Sequence, residues 1–197
     1  MSGLPSTINR FNLQTGQFDG LPVPERRLSD LRGYFADSRA FERLAAGENP
    51  LLYNVAVDET TQGEGQLNYG VGVLMAGRVG AEYFMTKGHF HAWRQAAEVY
   101  IGLSGNGLML LEEETSSEER LLPLEAGCVV NVPGFTAHRT INIGSVPLVY
   151  IAVYPAGAGH DYGVIAKRNF RSVVVDVDGR ATLIRRETYL ATLQKDA

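Results

Sequence analysis

Two patterns of apolar and polar positions divide this chain near residue 50. Upstream, Phe41, Leu44 and Ala45 recur at the i, i+3, i+4 interval of an amphipathic helix. Ser29 and Asp37 offer capping oxygens, and Gly47-Glu48-Asn49-Pro50 stops the run. Short helices are expected there and none beyond. Downstream the period shortens: residues 51–57, 69–75, 99–103, 108–112, 120–124, 128–132, 148–154, 173–177 and 181–185 alternate or are rich in β-branched side chains, the mark of antiparallel strands. Ser104-Gly105-Asn106-Gly107 and Asp178-Gly179 each carry the residue pair of a tight hairpin. Many short strands punctuated by turns predict an all-β sandwich or barrel.

The 197 residues suffice for one well-buried core, and the composition, 45% hydrophobic and 20% charged, is that of an ordinary globular domain. A net charge of -4 with no block of basic residues gives no long-range attraction for nucleic acid or anionic lipid. Residues 1–11 lack a charged start followed by an apolar run, and no stretch approaches the roughly 18 apolar residues of a membrane span. A cytoplasmic protein with no membrane partner is expected. Cys128 is alone, which excludes a disulfide framework, and the run Cys128-Val129-Val130 reads it as a small buried hydrophobe. Glu112 to Glu114 with Glu118 and Glu119, flanked by Ser and Thr, reads as a solvated hairpin loop and not as a cation site.

Candidate chemistry is concentrated in Thr86-Lys87-Gly88-His89-Phe90-His91, followed by Glu98. Side chains alternate along a strand, so His89 and His91 point the same way and can share one ion while Phe90 faces the other layer. His138 is the obvious further donor, and three of the chain's four histidines are then used. Three imidazoles and a carboxylate suit one divalent iron, manganese, nickel or zinc ion and do not favour calcium.

These residues carry a family resemblance. Gly88-His89-Phe90-His91, Glu98 and Gly105 resemble the first cupin motif; Gly127, Pro133, Gly134, His138 and Asn142 resemble the second. Within the cupins, the chain is similar to the cupin-type glucose-6-phosphate isomerases in four elements. These are the Thr-x-Gly-His-x-His start, Glu98-Val99-Tyr100, His138-Arg139-Thr140 with Asn142, and the tail from Tyr154-Pro155-Ala156 to Gly159-His160-Asp161-Tyr162-Gly163. The similarity runs from about residue 69 to 170. It departs from the common cupin pattern in the six residues between His91 and Glu98, and in Gly134 directly after Pro133. It departs from the isomerases at Val71-Gly72-Val73, which has no hydroxyl where the family uses a threonine.

The resemblance implies a single jelly-roll-like double-stranded β-helix barrel over residues 51–197, with residues 1–50 an extension whose short helices pack on it. It implies interconversion of glucose 6-phosphate and fructose 6-phosphate, a metal on His89, His91, Glu98 and His138, and a homodimer, for which the apolar stretch 51–57 is a candidate contact. Thr86, Lys87, Gly88, Tyr100 and Tyr162 are the implied substrate-binding residues, and Glu98, Tyr154 and His160 the implied catalytic ones. Two routes stay open: Glu98 as general base through an enediol, assisted by Tyr154 or His160, or a direct hydride shift. Plainer roles compete: Lys87 as an exposed bystander, Tyr150 and Tyr154 as core aromatics, His160 as a loop residue paired with Asp161. Two rival functions share the ligand set. A cupin dioxygenase would consume oxygen in its iron form, and a sugar-binding cupin would bind saturably without turnover.

Overall fold

Short alternating runs cut by glycine turns build sheets, and in the computed structural model, which describes residues 8–18, 22–59 and 62–195, they build three. Most of residues 1–11, whose composition was read above, lie outside the described residues. In chain order the elements are β1 (Glu25–Arg27), a 3-10 turn (Leu28–Leu31), α1 (Ser38–Gly47), β2 (Leu51–Asp58), β3 (Leu67–Leu74), β4 (Arg78–Val79) and β5 (Glu82–Tyr83). Then come β6 (Glu98–Ser104), β7 (Asn106–Glu113), β8 (Glu119–Glu125), β9 (Val129–Val132), β10 (Thr136–Asn142) and β11 (Leu148–Pro155). The chain closes with α2 (Gly163–Arg168), β12 (Ser172–Val177), β13 (Arg180–Arg185) and α3 (Arg186–Lys195).

A six-stranded sheet, β1-β2-β3-β11-β6-β9, faces a three-stranded one, β10-β7-β8, and β13-β12-β5-β4 forms a third. Leu52, Leu74 and Leu148 from the first sheet share one core cluster with Met109, Leu124 and Ile141 from the second, which is the all-β class expected of a cupin. Residues before 50 join this core: β1 pairs with β2, and Leu28, Leu31, Phe35 and Phe41 lie in the same cluster.

The Asp178-Gly179 hairpin forms as read: both residues have positive φ, 52° and 79°, and Val177 pairs with Arg180. The Asn106-Gly107 hairpin does not. β6 pairs with β9 and β11, whereas β7 pairs with β8 and β10, so the chain changes sheets between them. Gly105, at φ 82°, makes that corner; a Cβ there would stand 2.4 Å from the Pro147 carbonyl oxygen. Asn106 and Gly107 are ordinary members of β7, opposite Glu125 and Leu124.

Four further expectations are corrected. Asp37 caps α1 by accepting the Ala40 amide at 2.8 Å, but Ser29 lies inside the 3-10 turn, whose cap position is Arg27. Helices do recur after residue 50: α3 buries Tyr189 and packs Leu193 on Val173 and Val175, an i, i+4 contact set among polar residues. Cys128 is half-buried and Val129 is 67% exposed, because β9 alternates and only Val130 and Val132 face inwards. The acidic loop does join β7 to β8, yet Glu112 at its base is fully buried, with Arg168 at 2.5 Å and Arg171 at 3.6 Å.

Gly102 fixes the return from β9 to β6. Its N–H donates to the Cys128 carbonyl at 2.9 Å, its carbonyl accepts from Gly127 at 3.1 Å, and a Cβ would stand 2.0 Å from the Glu125 carbonyl oxygen. Backbone cannot yield as a side-chain tip can, so Gly102→Ala is expected to cost about 1–3 kcal/mol, read as a lower urea midpoint with an unchanged slope. An unaltered midpoint would show that the corner relaxes freely.

Candidate metal centre

Residues 84–89 run antiparallel to β10 and are held to it residue by residue. Thr86 N–H donates to the Thr140 carbonyl at 3.0 Å, and His89 and His138 exchange amide hydrogen bonds at 3.2 and 3.1 Å. Between them Arg139 faces away, with Nη2 donating to the Lys87 carbonyl at 2.6 Å and its guanidinium 4.1 Å over the Phe170 ring. Gly88 is required at this bend: its φ is 72°, and a Cβ would stand 2.6 Å from Phe170 Cε2. On the other edge, Phe90 and Asp161 exchange amide bonds at 3.1 and 2.8 Å, and Trp93 N–H donates to the Ala158 carbonyl at 2.9 Å. Residues 158–161 are thereby fastened alongside the His89–His91 segment.

This pairing brings His89, His91, Glu98 and His138 together, with donor atoms all within 4.8 Å of one another. His91 Nδ1 lies 2.9 Å from the Ala96 carbonyl and His138 Nδ1 lies 3.3 Å from that of Thr136. Both carbonyls can only accept, so each Nδ1 carries the proton and each Nε2 presents a lone pair to the centre. Those lone pairs face Glu98 Oε2 at 3.2 Å from His91 and 2.9 Å from His138. His138 Nε2, though close, does not meet hydrogen-bond geometry, and His89 Nε2 also lacks a partner. Acceptors converging on an acceptor need a proton or a cation between them, and buried nitrogens without partners fit a cation.

The charges agree. Burial, then the neighbouring His138, holds His89 well below the ordinary imidazole range, so its ring is neutral at neutral pH. Burial disfavours charge on His91 as well, but its bonds to Glu98 and the Ala96 carbonyl outweigh this and raise its pKa. For Glu98 burial pushes upwards, and the contacts with His138 and His91 overcome it to bring the carboxyl down to about 2. A carboxylate held ionised in a buried site suits a divalent ion.

The two departures from the common cupin pattern prove to be one feature. The longer stretch between His91 and Glu98 forms a turn, with Ala96 N–H donating to the Trp93 carbonyl at 2.9 Å, and so delivers the carbonyl that orients His91. That turn rests on Gly134, where a Cβ would stand 2.7 Å from the Gln95 carbonyl oxygen and 2.9 Å from that of Arg94. A longer gap needs a glycine beneath it.

A cavity of about 330 Å³ opens beside the centre. Thr86, Lys87, Gly88, His89, Glu98, Tyr100, His138, Tyr154, His160 and Tyr162 all line it, while His91 sits behind the wall. Burial and then Glu98 push the Tyr100 phenol up, so it stays protonated. Tyr150 and Tyr154, on the same face of β11, are both buried and both line the cavity, so the core and site roles are not exclusive. His160 does not pair with Asp161; its ring lies 4.6 Å from His89 and stacks on Tyr162 at 5.9 Å. It reaches solvent through the cavity mouth, yet enclosure by these rings lowers its pKa and keeps it neutral.

Asp161 instead accepts from Arg94 Nη2 at 2.6 Å, and Arg94 also reaches Glu114 and the His91 carbonyl, so one side chain ties the turn to both neighbours. Neither Arg94 nor two cavity-wall residues, Arg26 and Glu59, carries a signal in the sequence. Glu59 accepts from the Tyr154 hydroxyl at 3.0 Å. No periodicity marks them, because Arg26 and Glu59 arrive with the pairing of β1 and β2 and Arg94 acts from a turn through side-chain bonds.

The family model described as Glucose-6-phosphate isomerase (GPI) matches residues 25–192. Relatives named glucose-6-phosphate isomerase are 45% identical in Pyrococcus horikoshii and 44% in Pyrococcus furiosus, each over 89% of this chain and 92% of the relative. A putative glucose-6-phosphate isomerase 1 of Rhizobium meliloti is 38% identical over 87% of this chain and 80% of its own. Among solved structures, oxalate decarboxylase from Bacillus subtilis is 22% identical with a TM-score of 0.44, covering 55% of this chain and 26% of that one. Among the described residues no helix is long and apolar enough to cross a membrane. With the family model matching residues 25–192 of this chain and the two Pyrococcus relatives similar across nine-tenths of their own length, the chain belongs to the glucose-6-phosphate isomerase family.

Proposed function

We propose that this chain interconverts glucose 6-phosphate and fructose 6-phosphate in the cavity beside Glu98, with one divalent ion of iron, manganese, nickel or zinc on His89, His91, Glu98 and His138. The observation that carries this is the convergence of four donor atoms within 4.8 Å, three of them from residues lining a cavity that is otherwise hydroxyl-rich. The ion, when bound, supplies positive charge that favours the anionic oxygen developing as hydrogen leaves C2. Thr86, the Gly88 backbone and Tyr162 hold the phosphate, with Lys87 and Arg26 as the basic side chains of the same wall.

Glu98 takes the C2 proton and returns it to C1, while the C2 hydroxyl proton passes to O1. Both histidine contacts fall on Oε2, which leaves Oε1 as the oxygen for proton transfer. His160, neutral at neutral pH, accepts the C1 hydroxyl proton during ring opening and delivers it to the ring oxygen as the C1–O5 bond breaks. Tyr154 is held by Glu59, and burial followed by that carboxylate keeps it protonated, as an orienting donor beside the sugar. In deuterated water this route places solvent deuterium at the migrating position; its complete absence in early turnover would favour a direct hydride shift.

The decisive experiment is a coupled hexose phosphate isomerase assay on the purified protein before chelation, after chelation, and after add-back of each of the four metals. Activity lost on chelation and restored by at least one metal is expected. Full activity in the stripped protein would overturn the metal role, and no turnover with any metal would overturn the isomerase reading.

A further inference from the structure

We infer that Thr86, Thr140 and Tyr150 form a three-hydroxyl relay that turns the Thr86 proton into the cavity towards the ligand's phosphate, making Thr140 and Tyr150 positioning residues for anion recognition. The inference rests on the phosphate lying at Thr86 and Gly88, as proposed above, and deepens that reading.

Thr140 Oγ1 stands 3.3 Å from Thr86 Oγ1 and 3.3 Å from the Tyr150 hydroxyl, so it is the middle member of the chain. Thr86 Oγ1 also accepts the Thr140 backbone N–H at 3.1 Å. A hydroxyl has two lone pairs and one proton. With the Thr140 N–H on one lone pair and the Thr140 hydroxyl on the other, Thr86 has only its proton left to offer. Thr86 is half-exposed on the cavity wall, so that proton is delivered where an anion can take it.

The direction of the chain follows from acidity and enclosure. Three hydroxyls joined by two links leave one proton over; a Thr140 that accepted from both neighbours would keep its own proton unpartnered in the interior, at 2% exposure, so the spare proton falls at one end. A phenol is more acidic than an aliphatic hydroxyl and is the better donor, so the polarity runs Tyr150 to Thr140 to Thr86. Burial pushes the Tyr150 phenol up to about 12, so the donor keeps its proton at neutral pH. Tyr150 is 4% exposed, and β3 closes off its end: a Cβ at Gly72 would stand 2.5 Å from its hydroxyl oxygen and 2.3 Å from Cζ. Gly72 therefore leaves the space that the Tyr150 ring fills. The stretch that lacks a hydroxyl of its own is the stretch that admits this one.

The test is calorimetric binding of glucose 6-phosphate to the metal-loaded protein and to four variants. Tyr150→Phe keeps the ring over Gly72 and removes only the oxygen, Thr140→Val keeps the shape and removes the hydroxyl, Thr140→Ser restores it, and Thr86→Val removes the terminal donor. The expected result is a Kd raised about 3- to 10-fold in Tyr150→Phe and Thr140→Val, a near-native Kd in Thr140→Ser, and the largest loss in Thr86→Val. A packing role for Thr140 would not distinguish serine from valine in this way. If Thr86→Val weakens binding while Tyr150→Phe and Thr140→Val do not, the relay is wrong and the phosphate site stands. If Thr86→Val binds as tightly as the native protein, the phosphate assignment fails and takes the relay with it.

Discussion

His138→Ala is expected to lower kcat/KM for fructose 6-phosphate by roughly 10²–10³-fold, the cost of losing several kcal/mol of charge stabilisation at the reacting oxygens. His138 is the one donor of the four that comes from the facing three-stranded sheet; the others arise from the 89–91 segment and from β6. It is 1% exposed, and its Nε2 lies 2.9 Å from Glu98 Oε2 without meeting hydrogen-bond geometry, an arrangement that a shared cation would satisfy. Elemental analysis should accordingly find the variant depleted of metal at concentrations that saturate the native protein. Because all three imidazoles must be neutral to coordinate, metal retention by the native protein should also fall on acidification. A variant that binds no metal yet isomerises at the native rate would sink the assignment. Full metal occupancy together with lost activity would move His138 from ligand to some other role.

Phe170→Ala is expected to produce the largest loss of stability, ~3–5 kcal/mol. Phe170 is fully buried, so its removal combines lost apolar burial with a cavity that the surrounding sheets can only partly close. It also strips a buried cation of its cover. The Arg139 guanidinium lies 4.1 Å over this ring, and burial followed by repulsion from Arg186 already lowers its pKa to about 9. Arg139 in turn holds the Lys87 carbonyl, and the same ring bears on Gly88. Loss of the ring should therefore loosen the backbone of the phosphate wall as well as the core. Urea denaturation reads the first effect as a lower midpoint, and a rise in KM for glucose 6-phosphate reads the second. A native midpoint would mean that neighbouring side chains refill the cavity. A lowered midpoint with unchanged KM would separate the core from the phosphate wall.

Much of the site was legible before any coordinates because its information is local. Strand alternation alone puts His89 and His91 on one side and Phe90 on the other, and the fully buried Phe90 obeys it. The chemistry of three imidazoles and a carboxylate is a property of residue types, and the positive φ that closes the β12–β13 hairpin is what Asp178-Gly179 tolerates. The same local logic failed at Ser104-Gly105-Asn106-Gly107, where turn residues mark a change of sheet and not a hairpin. It failed at Glu112, whose acidic neighbours suggest solvent while two arginines from the 168–171 stretch hold it in the interior.

What the sequence by itself determined, then, is which side chains share a face and which donors are available, since covalent geometry repeats every two residues along a strand. Only the tertiary structure decided which faces meet. It set the register of His138 against His89, the seating of the longer Trp93–Ala96 turn on Gly134, the arrival of Arg26 and Glu59 at the cavity, and the tie of Arg94 to Asp161. The physical reason is that these contacts join segments far apart in the chain through backbone hydrogen bonds and close packing between sheets, and neither leaves a periodic trace in the residues themselves.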